Sequence, residues 1–81
     1  MTPLENAVHF AQDLPGLRAL LASPVLSAEE SFVRTAIRDV VSELAVHFEL
    51  LAQASTHPES RVYTHLADRA HELAATQIAH A

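Results

Sequence analysis

Among the side chains best suited to hold a metal ion, His65, Asp68 and Glu72 recur at i, i+3 and i+7, which puts them on one side of a helix. Imidazole and carboxylate ligands of this kind suit zinc or another divalent ion. His71 points elsewhere on the same turn. Arg61 and Arg69 share the His65 side, however, and their positive charge repels a cation and pairs with the carboxylates. The plainer reading is a solvated face laced with helical salt bridges. Neither the Glu-x-x-His pairs of di-iron bundles nor a His-Glu-x-x-His zinc motif occurs. No cofactor is expected on this basis.

A second recurrence is Asp39, Glu43 and His47, every four residues along one edge of an apolar arc. Only His47 reaches well inside that arc, and a histidine so placed is expected to be a packed residue held by Glu43. The functional alternative is a pH-sensitive interface, since a shielded histidine resists protonation and loosens its contact as pH falls. Catalysis finds little support. There is no cysteine or lysine, Ser27 and Thr56 read as helix caps, and Asp39 and Glu43 read as surface acids. A compact helical enzyme that holds a dianion needs several cations inside its bundle. Arg34 and Arg38 sit one turn apart but on the polar side of their helix. The expectation is a chain that is not an enzyme, with no catalytic residue.

The elements that must carry these residues are helices. Thr2-Pro3-Leu4-Glu5 has the form of a capping box with proline at the first helical position, and predicts a helix over about 3–12 with Leu4, Ala7, Val8 and Ala11 inward. Asp13 caps a second short helix over about 14–22, which Ser23-Pro24 stops. Ser27-Ala28-Glu29-Glu30 opens a long helix over about 28–54, uninterrupted in its periodicity. Thr56-His57-Pro58-Glu59 repeats the capping pattern and predicts a last helix over about 57–80. A connection of only a residue or two folds the long pair back on itself. The fold class is therefore all-α: a long antiparallel two-helix hairpin with two short N-terminal helices, in one domain spanning 1–81.

At about 100° per residue, Val33, Ile37, Val40, Leu44 and Leu51 form a stripe on the long helix. Val41, Ala45, Phe48 and Ala52 widen it on one side, and Phe32, Ala36 and Leu50 on the other, so that roughly 220° of the circumference is apolar, about twice what one contact needs. The last helix has a narrower, alanine-rich side: Val62, Tyr63, Leu66, Ala67, Ala70, Leu73, Ala74 and Ile78. Core packing is the default for Phe10, Phe48 and Tyr63. One neighbouring helix cannot cover 220°, so the pattern predicts a homodimer in which two hairpins make a four-helix bundle. Phe32, Ala36, Val40, Glu43, His47, Leu50 and Leu51 are the expected interface residues. Phe32 and Leu50, near the acids Glu43 and Asp39, have the look of a partner-binding strip.

Composition narrows the function classes. Hydrophobic residues make up 49% of the 81-residue chain and charged residues 19%, as in a folded domain rather than a disordered one. With no cysteine to supply a disulfide, association is the available source of extra stability. The net charge of −5 and only five basic residues, all arginine, argue against direct contact with nucleic acid. No apolar run is long enough to cross a bilayer, and the first residues lack signal-peptide order, so the sequence reads as cytoplasmic. Arginine without lysine, beside many alanines, fits a GC-rich bacterial or phage genome. These readings converge on a small acidic interaction module of adaptor, regulator, immunity or inhibitor type. Its expected partners are itself and one further protein. The alternative is a metal- or small-ligand-binding bundle that uses His65, Asp68 and Glu72 or its interior.

Overall fold

The computed structural model describes residues 2–76, which form three helices. Helix α1 spans Pro3–Ala22, α2 spans Ala28–Ala54 and α3 spans Glu59–Ala74. Ile78, with the rest of 77–81, lies outside the described residues.

Local chemistry sets the first boundaries. The Thr2 hydroxyl accepts the Glu5 amide at 3.2 Å, satisfying one of the four N–H groups that open any helix, while Pro3 has no amide to satisfy. At the start of α2 the Ser27 hydroxyl accepts the Glu30 amide at 3.1 Å, and the Glu30 carboxylate reaches back to the Leu26 amide at 2.9 Å. Two donors are thus closed by one Ser/Glu pair, the carboxylate taking the amide one residue ahead of the cap rather than the cap's own as in a full capping box. Between the helices, Ser23 takes an extended conformation before Pro24, whose ring excludes the α region from the residue ahead of it.

Two expectations are corrected. Where two short N-terminal helices are predicted, over 3–12 and 14–22, α1 runs without a break from Pro3 to Ala22 and keeps Pro15 inside it. An interior proline forfeits one backbone bond and costs about 3 kcal/mol. The apolar seam Ala7, Phe10, Leu14, Leu17 and Leu21 nevertheless holds helical phase straight through it. Pro15 and Ala11 both lie on the exposed side, so water can reach the Ala11 carbonyl that lost its donor. The helix expected over 57–80 begins instead at Glu59 and ends, with Ala75 as cap, at Ala74. No side chain caps its start. The Ser60 amide bonds the Thr56 carbonyl at 3.0 Å and the Arg61 amide the Pro58 carbonyl at 3.1 Å, so backbone oxygens do what the Thr56 hydroxyl was expected to do. The His57–Pro58 peptide is cis.

Packing follows from which faces are small and which are large. Ala45 on α2 and Ala67 and Ala70 on α3 are fully buried, which lets the hairpin helices approach closely. Phe48 fills the space beside them and is 2% exposed. Its ring lies 5.3 Å from that of Phe10 and 6.4 Å from that of Tyr63, within the range of favourable aromatic contact. Phe10 therefore ties the first half of α1 to the last half of α2, and Leu20 meets Arg34 at the other end. Helix α1 runs antiparallel to α2 and parallel to α3.

The seam of α1 also differs from expectation. Ala7, Phe10 and Leu21 are buried, whereas Leu4, Val8 and Ala11 face outward. On α2 the buried line is Val41, Ala45 and Phe48, with Ile37, Leu44 and Leu51 at its margin. On α3 Tyr63, Leu66, Ala67, Ala70 and Leu73 are buried as the period predicts, and Val62 is exposed.

Candidate functional site

With Val41, Ala45 and Phe48 turned inward, the far side of α2 is left without a neighbour. Phe32 is 75% exposed and Leu50 59%, and Val33 and Val40 are about half exposed. Ala36 lies open between them, and Leu51 is half buried at the edge. Phe32 and Leu50 are 18 residues apart, so at about 1.5 Å per residue the strip runs some 27 Å along the helix. Phe32, Val33, Val40 and Leu50 are each open along it, with the exposed acids Asp39 and Glu43 between Phe32 and Leu50 on the same side. Between the strip and α1 the surface sinks into a groove of about 450 Å³, lined by Phe10 and Leu17 with Phe32, Ile37 and Val40, and among the described residues Asp13 is the one charged group that lines it.

Of the seven expected interface residues, six are exposed and the seventh, Leu51, is half buried. Glu43 and His47 are both exposed and no hydrogen bond joins them, so the packed histidine expected at position 47 is not formed within the chain. His47 lies on the open side of α2, with its ring 6.0 Å from that of Phe48.

His65, Asp68 and Glu72 are not drawn into one cluster. Glu72 is taken by Arg69 at 3.1 Å, as the spacing of opposite charges on a helix favours. Asp68 borders a shallow depression with Arg61 and Thr64. Among the described residues no three His, Asp or Glu side chains are gathered as a metal site would need. The described helices also include none long and apolar enough to cross a membrane.

Arg34 and Arg38 take a role the sequence reading placed elsewhere. Arg34 is buried rather than on a polar side: its Nε donates to the Leu20 carbonyl at 3.1 Å, and its guanidinium lies 3.7 Å from Glu30. Arg38 donates to the Thr76 carbonyl at 3.4 Å. Because α1 and α3 run parallel, both end beside the first turns of α2, and each of these arginines closes a carbonyl at one of those ends. The negative end of a helix dipole favours a cation there, and α1 has no basic residue in its own last turn. That missing charge was the signal available in the sequence.

Across the hairpin, the His71 imidazole and the Glu49 carboxylate pair on the surface between α3 and α2. Comparison of the chain with protein-family models, with curated proteins and with solved structures finds no match.

Proposed function

We infer that the chain is a small non-catalytic interaction module of the cytoplasm that works as a homodimer, with the exposed strip of α2 as its contact. The observation that carries this reading is the contrast on one helix: Phe48 and Val41 are 2% exposed while Phe32 and Leu50 are more than half exposed. Burying such a strip returns roughly 25 cal/mol per Å². The strip with the groove beside it is small against the roughly 600 Å² per chain that stable interfaces bury, so the association it supports is a concentration-dependent one. Elongation supports the same reading. The chain measures 45 × 17 × 16 Å and exposes 5330 Å², against roughly 4,800 Å² for a compact monomer of its mass.

A two-fold contact is the simplest way for one surface to cover itself, and two hairpins meeting through this strip put the two α2 helices side by side at the centre with each α3 on the outside. Glu43 and His47 would then lie within the contact, between Phe32 and Leu50, where an acid and an imidazole can meet across it. Size-exclusion chromatography with light scattering tests the reading. The wild-type chain is expected at twice the 8.8 kDa of one chain, and the double variant Phe32→Asp, Leu50→Asp at 8.8 kDa with unchanged helix content. Equal masses for the two proteins would refute the strip as the contact.

A further inference from the structure

The five arginines divide into two groups. Arg34 and Arg38 close helix ends, and the remaining three, Arg18, Arg61 and Arg69, all line one trough between α1 and α3. The trough consists of two adjoining grooves, of about 620 and 370 Å³, which share Ala11, His65 and Leu66. Its floor is apolar, built from Ala7, Ala11 and Leu66, and among the described residues no carboxylate lines it. Asp68 lines an adjoining depression that shares Arg61 and His65 with the trough, and Glu72 is paired with Arg69 at 3.1 Å. In a chain with a net charge of −5, every cation not spent on a helix end has been gathered in one place. The α2 strip on the other side of α1 carries Asp13, Asp39 and Glu43 nearby and no arginine.

The spacing within the trough is regular. Arg61, His65 and Arg69 succeed one another at four-residue intervals on α3, one helical turn or about 6 Å apart, and Arg18 reaches the same trough from α1. Arg61 and Arg69, with the His65 imidazole N–H between them above an apolar floor, match a ligand with acceptors at the same repeat, anionic at its two ends, beside an apolar stripe. An amphipathic helix with Asp or Glu at i, i+4 and i+8 has that form. We propose that the trough between α1 and α3 is the docking site for an acidic amphipathic helix of a partner protein.

Arginine suits the task, because its fork of five N–H groups takes a carboxylate in two bonds and can still hold a second acceptor, as Arg69 would with Glu72. A small anionic amphiphile would engage one cation of the row and leave the others idle. This site is separate from the α2 strip and does not depend on dimerisation.

The test uses the full chain and a fluorescent, about 16-residue helical peptide with glutamate at every fourth position beside a leucine stripe. The expected result is saturable anisotropy binding at tens of micromolar, weakened about tenfold or more by Arg61→Gln with Arg69→Gln. A peptide with glutamine for glutamate should bind as weakly, and Phe32→Asp should leave the affinity unchanged. Circular dichroism confirms that each variant is folded. No saturable binding to the wild-type chain, or binding indifferent to the arginine changes, would overturn the proposal. So would dodecanoate binding with the same arginine dependence while the peptide stays free, since the trough would then be a site for an anionic amphiphile. Loss of binding on Phe32→Asp would move the peptide to the α2 strip and refute the trough as its site.

Discussion

The two faces of α2 are made of the same kinds of residue and meet opposite fates. Val41, Ala45 and Phe48 face α3 and Phe10 and are sealed, whereas Phe32, Val40 and Leu50 stay more than half exposed, with only the open groove to α1 beside the first two. What separates them is the size of what lies opposite. The alanines of α3 bring its backbone close to one line of α2, and the third helix, α1, closes only the near margin of the rest. An apolar residue's contribution to folding is therefore set by its angular position on α2 and not by its type.

The largest way to sharpen this contrast is to truncate the sealed face. Phe48→Ala removes the ring that joins Phe10 to Tyr63 and should cost about 3 to 5 kcal/mol in denaturant unfolding. The clasp between helices comes next. Arg34→Ala leaves the Leu20 carbonyl with only the Ser23 amide at 3.3 Å and should cost about 1 kcal/mol, with hydrogen exchange rising first near the end of α1. A third change should go the other way. Pro15→Ala restores a backbone donor inside a helix that is already continuous, and should raise stability by about 1 to 2 kcal/mol; an unchanged midpoint would indicate two helices rather than one. On the open face, Val40→Ser should alter the stability of the isolated chain by no more than about 0.5 kcal/mol. A cost there comparable to that of Phe48→Ala would erase the distinction between the faces.

Much of this architecture is legible in the residues. Thr2 with Glu5 and Ser27 with Glu30 mark two helix starts by side-chain chemistry alone, and the unbroken period from Ala28 to Ala54 gives the long helix its limits. The exposed strip was readable too, because an arc of roughly 220° exceeds what one neighbour can cover. Its centre was not. An arc that wide has no unique middle, and the position of α1 and α3 turned Val41 and Phe48 inward while leaving Val33 and Val40 outside. Pro15 misled because a local penalty was weighed without the seam that crosses it. Thr56 misled because backbone carbonyls filled its place. Arg34 reads as a surface cation until the end of α1 is brought beside it in space, 14 residues back along the chain.

The trough between α1 and α3 was visible only once the helices were placed, since Arg18 and Arg69 are far apart in sequence and belong to different helices. Its cations and the acids beside the α2 strip give the chain two unlike surfaces on either side of α1. One carries the proposed self-contact and the other the proposed docking site for an acidic helix.

Sedimentation velocity across a wide concentration range, with the wild-type chain beside the Phe32→Asp, Leu50→Asp variant, tests the central claim most directly. The account predicts that the wild-type chain passes from one chain to two as concentration rises, while the variant stays at 8.8 kDa throughout. A wild-type chain that remains a single 8.8 kDa species at every concentration would contradict it.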